Sequence, residues 1–128
     1  MKTAVQMVAE AMAKIELVTP NAASEERATG HVTMLDVREP VEWEHHIAGA
    51  VQVPRGLLES AADPTSPRHN PELEPTTRVI VYCNSGARAA LAARTLIEMG
   101  YEDVADLEGG ITAWTEAGLP TVEHHAGF

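Results

Sequence analysis

Cys83 is the single cysteine in a chain of 128 residues, and the residues after it have the types and spacing needed to activate a thiol. The run is Cys83, Asn84, Ser85, Gly86, Ala87, Arg88, followed by alanines. A thiol reacts as the thiolate, and an unperturbed cysteine, with a pKa of about 8.5, is mostly protonated at neutral pH. A tight turn from strand into helix gathers backbone N–H groups that have no intrahelical partner, and the helix adds its positive end. Gly86 permits the close bend, and Arg88 brings a permanent charge. The same cradle would hold a small oxyanion or a terminal persulfide anion, so nucleophile and anion site coincide. No histidine or carboxylate lies within the loop, which points to electrostatic activation rather than a Cys-His pair. The competing reading is an inert core thiol, since free cysteine is among the most buried residue types. A core thiol, however, has no need of Gly and Arg beside it at a strand end.

The elements that must position this loop follow from periodicity and turn residues. "RVIVYC" (78–83) is a buried β-branched strand, "NSGAR" (84–88) the turn, "AALAARTLIEM" (89–99) a helix and Gly100 its stop. Upstream, "IELV" (15–18) is a short strand, and "TPNAASEERA" (19–28) opens a helix with Thr19 as N-cap and Pro20 at the first helical position. "HVTMLDV" (31–37) alternates as a strand and ends in the charged turn "REP"; "PVEWEHHI" (40–47) predicts a short helix and "GAVQVP" (49–54) a brief strand. Four of the eight prolines fall in residues 62–78, which reads as a long irregular surface connection. "DVADL" (103–107) is a further strand, and "GGITAWTEAGLP" (109–120) gives a Gly-Gly turn, a helix and a Gly118/Pro120 terminator. Strands alternating with helices imply an α/β fold: a mainly parallel central sheet with helices on both faces. In such sheets ligands bind beyond the carboxyl ends of the strands, where Cys83 stands.

The length allows one domain with one core. We divide it into an N-terminal helical extension (1–14) packed on the domain, the domain proper (15–120) and a tail (121–128). In the extension, Val5, Val8, Met12 and Ile15 have helical spacing, while Glu10, Lys14 and Glu16 interrupt any continuous apolar run, so no signal peptide is expected. A lone cysteine excludes an internal disulfide and a multi-cysteine zinc site and fits a reducing compartment, hence the cytoplasm. Nineteen acidic against nine basic side chains give a formal charge of −10, which disfavours nucleic acid and anionic membranes as partners. An anionic ligand needs a local positive feature to overcome that field.

Three segments, "LDVREPVEWEHHIAGAVQVPRG" (35–56), "VIVYCNSGARAALAARTLIEMGYEDV" (79–104) and "LEGGITAWTEAGLP" (107–120), together make the chain resemble a single-domain rhodanese, the family of persulfide-forming sulfurtransferases. The resemblance implies a rhodanese-like fold and a thiosulfate sulfurtransferase. Cys83 would take a sulfane sulfur from a donor such as thiosulfate, release sulfite, and pass the sulfur from its persulfide to a thiophilic acceptor: cyanide, a thiol or a protein. Asn84, Ser85, Gly86, Ala87 and Arg88 would form the substrate cradle, with the Arg88 side chain a candidate anion contact. No metal or organic cofactor is implied. Cysteine-based phosphatases and arsenate reductases, which resemble rhodaneses, place one more residue between cysteine and arginine to wrap a tetrahedral phosphate. Here four residues intervene, which favours sulfur. A phosphatase or arsenate reductase remains the alternative, as does a non-enzymatic sulfur-relay or binding module.

Asp36 and Arg38 match the family's Asp-x-Arg motif, which implies a supporting ion pair beneath the site. His45 and His46 are adjacent, about 100° apart if helical, with no Cys or further His at ligand spacing nearby, which argues against a metal; the resemblance places His46 at the family's "HI-GA" histidine and implies a packing or hydrogen-bonding role there. Trp43 and Trp114 are expected to cover the core, Arg55 to face the active edge and attract anions, and Arg94 to face solvent. His124 and His125 belong to the tail.

Overall fold

The computed structural model describes residues 1–123. Its centre is a five-stranded, all-parallel sheet in the order β1-β6-β5-β2-β4. The strands are β1 (Glu16–Val18), β2 (Val32–Asp36), β4 (Val51–Gln52), β5 (Arg78–Tyr82) and β6 (Asp103–Leu107). Around it lie α1 (Ala4–Lys14), α2 (Pro20–Thr29), α3 (Leu58–Ala62), α4 (Ala87–Glu98) and α5 (Gly110–Glu116). The sequence expectation of helices on both faces holds. α4, with α1 and α3 packed against it, covers one face, and α2 and α5 cover the other.

The alternation along β5 explains its unbroken apolar run. Val79, Val81 and Cys83 face the alanines of α4 (Ala89, Ala92, Ala93) and Leu96, whereas Ile80 and Tyr82 face Ala23, Ile111 and Trp114. Both faces are buried from Val79 to Tyr82, and the charged side chain of the strand, Arg78, stands at its start, where it meets Glu16, Glu26 and Asp103. Alanines on α4 let the helix backbone settle close to the sheet, which keeps its N-terminus near the end of β5.

Helix starts follow their caps. The Thr19 hydroxyl accepts from the Ala22 N–H with Pro20 at the first position of α2, as expected, and Thr3 and Gln6 form a reciprocal capping box on α1. In α1 the inward face is Ala11 with the half-buried Val8, Met12 and Ile15; Val5, expected on the same stripe, is exposed, one turn beyond the packed surface. The long connection after α3 is irregular but anchored. Leu73 is fully buried, the Asn70 N–H donates to the Ala61 carbonyl, and the Tyr101 hydroxyl donates to the Ala62 carbonyl.

The segment at residues 40–47 departs from the expected short helix. Pro40–Glu42 make one 3-10 turn, and His45–His46 form a strand, β3, antiparallel to β7 (Val122–Glu123). The local pattern alone does not carry this pairing, because the partner strand comes from the far end of the chain. His124 and His125 lie outside the described residues.

Asp106 is the one polar side chain of the sheet interior with both carboxyl oxygens buried and without a hydrogen-bond partner among the described residues. Alternation puts it on the α4 face beside Val81. Burial, reinforced by Glu108, pushes its pKa up to about 7. The folded state therefore holds the proton more tightly than the unfolded chain does, so this group's contribution to stability is greatest in acid and is lost as pH rises from about 4 through 7. Asp106→Asn, which mimics the neutral acid, should raise stability by about 2 kcal/mol above pH 8 and by little near pH 4, as read from denaturant unfolding at both values.

Candidate active site

Cys83 follows the last residue of β5 and is 2% exposed, as buried as a core cysteine. Its surroundings are not those of an inert thiol, however. The Gly86 N–H donates to Cys83 Sγ at 3.1 Å, a contact that stabilises sulfur most when it is negative. Gly86 is the N-cap of α4 with φ +126°, a conformation closed to other residues at low cost. Ser85 and Ala87 are exposed on the rim, so the loop Cys83, Asn84, Ser85, Gly86, Ala87, Arg88 is brought together as the sequence predicts, at the carboxyl end of a central strand.

The loop is held from below by the start of α5. The Ile111 N–H donates to the Cys83 carbonyl at 2.9 Å and the Thr112 N–H to the Asn84 carbonyl at 3.1 Å. A Cβ at Gly110, where φ is +62°, would lie 2.4 Å from the Asn84 carbonyl oxygen and 2.5 Å from that of Cys83. Gly110 is therefore part of the site. In sequence it reads only as half of a Gly-Gly turn, because nothing local marks the backbone that lies against it.

A buried ion pair holds the loop from the side. Asp36 is fully buried and Arg38 is 4% exposed. Arg38 Nη2 donates to Asp36 Oδ2 at 2.8 Å and Nε to Oδ1 at 3.0 Å, a forked geometry, and the Arg38 backbone N–H adds a third bond to Oδ1 at 3.0 Å. The remaining guanidinium protons reach outward: Nη2 donates to the His45 carbonyl at 2.7 Å and Nη1 to Asn84 Oδ1 at 3.2 Å. Its guanidinium lies 5.7 Å from the Tyr82 ring centroid. The expected supporting pair thus exists as geometry and is bonded directly to the cysteine loop.

Glu42 is a second residue at the loop that sequence reasoning missed. Its carboxylate accepts from Arg88 Nη1 at 2.6 Å and Nη2 at 2.8 Å, from Asn84 Nδ2 at 2.6 Å and from the Glu39 N–H at 2.9 Å. The Arg88 guanidinium above all holds its pKa down, to about 2. The Arg88 side chain, expected to meet an anion, is instead engaged by this carboxylate. The two residues stand 46 positions apart, and no motif in the chain links them.

Other expectations are corrected by position. Arg55 does not face the active edge. Its guanidinium donates to Glu59 and to the Thr95 hydroxyl, two turns along α4 from Arg88. Trp114 is core, 1% exposed, whereas Trp43 is half-buried and its Nε1–H caps the Arg38 carbonyl at 3.1 Å. His46 Nδ1 lies 3.1 Å from the Trp43 carbonyl, a hydrogen-bonding position.

Two substitutions follow from this packing. Gly110→Ala, which drives a methyl into two carbonyls at positive φ, should cost about 2–4 kcal/mol or displace the loop, visible as a lower Tm and faster alkylation of Cys83. Arg38→Met should cost about 3–5 kcal/mol at neutral pH by leaving Asp36 buried and unpaired, checked by urea unfolding.

The geometry has close relatives. The rhodanese-like domain family matches residues 19–117. A sulfurtransferase of Allochromatium vinosum is 37% identical over 95 residues, 73% of this chain and 81% of that protein. An uncharacterized protein of Synechocystis is 36% identical over 107 residues, 83% of this chain but 55% of that protein, so this chain spans about half its length. A probable adenylyltransferase/sulfurtransferase of Mycobacterium tuberculosis is 32% identical over 110 residues, which are 84% of this chain and 26% of that protein. Among solved structures, a Rhodopseudomonas palustris protein of unknown function, described as a possible tyrosine phosphatase, superposes with a TM-score of 0.85 at 36% identity over 93% of both chains. A thiosulfate sulfurtransferase of Pseudomonas aeruginosa superposes with a TM-score of 0.75 at 25% identity, over 95% of this chain and 23% of that one. With a parallel sheet in the same arrangement and the cysteine loop inside the matched segment, the chain belongs to the rhodanese-like domain family.

Proposed function

We propose that the chain is a cytoplasmic sulfurtransferase in which Cys83 cycles between thiolate and persulfide. The observation that carries this reading is the Gly86 N–H donated to Cys83 Sγ at 3.1 Å, at the N-terminus of a twelve-residue helix. The Cys83 thiolate attacks the outer sulfur of a donor such as thiosulfate. The S–S bond breaks, and sulfite leaves with the bonding pair. An acceptor, whether cyanide, a small thiol or a protein thiol, then attacks the outer sulfur of the persulfide and restores the thiolate. The backbone of Asn84, Ser85, Gly86, Ala87 and Arg88 cradles the anion, and the Asp36–Arg38 pair fixes the loop's position. Residues 15–120 are the working domain, with 1–14 an extension packed on it and 121–128 following it, of which Val122–Glu123 return to pair with β3. Relatives named sulfurtransferases support this reading.

The likeness to the Rhodopseudomonas protein, a possible tyrosine phosphatase, favours a second reading, phosphate-ester hydrolysis by the same thiolate. The four-residue gap between Cys83 and Arg88 and the capture of Arg88 by Glu42 argue against it, since a phosphoryl group needs a free guanidinium.

Incubation with excess thiosulfate should add one sulfur atom to the intact mass, and cyanide should then remove it as thiocyanate. Cys83→Ser should abolish both signals. Hydrolysis of an aryl phosphate without any sulfur gain would establish the phosphatase reading instead, and neither activity would leave a binding or relay module.

A further inference from the structure

The cradle carries less positive charge than its sequence implies. Two guanidiniums, Arg38 and Arg88, stand beside the cysteine loop, and each is met by a carboxylate in a forked contact: Asp36 for the first, Glu42 for the second. Asn84, also in the loop, gives its amide N–H to Glu42 as well. The Glu42 side chain is 24% exposed and that of Arg88 38%, so this pair sits at the mouth of the site. What remains for a ligand is chiefly the backbone N–H array at the start of α4, on which Cys83 Sγ already draws, with the neutral Ser85 hydroxyl exposed on the rim. That array suits one negative charge. A doubly charged donor approaching the thiolate would meet the Glu42 carboxylate and the −10 field of the whole chain with little local compensation.

We propose that Glu42 is a specificity-determining residue that turns the Cys83 site toward singly charged sulfane-sulfur donors, such as organic persulfides and thiosulfonates, and against dianionic thiosulfate. This rests on the sulfurtransferase reading above and names the donor class. The step balances without an added oxidant, reductant or proton. The Cys83 thiolate attacks the outer sulfur of R–S–S⁻, the S–S bond breaks, R–S⁻ leaves with the bonding pair, and Cys83 carries the sulfur as a persulfide anion. With a thiosulfonate the leaving group is a sulfinate. Thiosulfate follows the same course, but with one further negative charge at the site.

Thiosulfate and methanethiosulfonate are suitable probes, because they differ chiefly in replacing one anionic oxygen by a methyl group. The quantity measured is the ratio of their kcat/KM values, thiosulfate over methanethiosulfonate. Glu42→Gln keeps the size of the side chain and removes its charge, and it should raise that ratio about fivefold or more. Glu42→Asp keeps the charge and should leave the ratio within about twofold of wild type. In wild type the ratio should rise with added salt, because screening weakens the extra repulsion. A second readout needs no turnover: thiosulfate titrated calorimetrically into Cys83→Ser should bind more tightly once Glu42→Gln is added. A ratio that stays flat or falls in Glu42→Gln, including an equal loss with both donors, overturns the proposal and makes Glu42 a positioning residue only. A wild type that gains sulfur from neither probe overturns the sulfurtransferase reading itself.

Discussion

The Asp36–Arg38 ion pair is the constraint on which the site depends. Two charges placed where water does not reach are tolerable only if each is fully bonded, and the short turn after β2 achieves this by folding Arg38 back onto Asp36 through backbone and side chain alike. Once so fixed, the guanidinium has protons left over, and these reach the His45 carbonyl and the Asn84 side chain. One pair therefore joins the end of β2, the β3 segment and the cysteine loop. The cysteine loop is the remote member of the three, 46 residues from Arg38 in sequence.

Backbone, rather than side-chain charge, does the remaining work at Cys83. The loop is gripped from one side by the N–H groups of Ile111 and Thr112 on its carbonyls, and its own Gly86 N–H points at the sulfur. Fixed dipoles in a site largely closed to water stabilise a negative charge with no reorganisation as it develops. Such dipoles have a limited capacity. The carboxylates of Asp36 and Glu42 each engage one of the two nearby guanidiniums, so little unpaired side-chain charge is added to them.

Much of the frame was legible in the chain. The unbroken apolar run of β5 announces a strand buried on both faces, Thr19-Pro20 announces a helix start, and the Cys83-to-Arg88 run announces a tight turn from strand into helix. The site was legible where its residues are contiguous. It was not legible at Glu42 and Gly110, whose partners lie 46 and about 26 residues away, at separations where neither periodicity nor turn chemistry carries information. Nor was it legible at His45–His46, which have the composition of a helix fragment and become a strand only because Val122–Glu123 pairs with them.

By itself, then, the sequence determined the alternation of strands and helices, the parallel sheet covered on both faces, and the placing of the cysteine at a strand-to-helix turn. These are properties of neighbouring residues, set by steric preference, hydrophobic period and capping. Only the tertiary structure decided the electrostatic character of the site. Whether a guanidinium is free to bind an anion or is already engaged by a carboxylate depends on which distant side chains are brought within 3 Å of it, and that is a property of the folded arrangement alone.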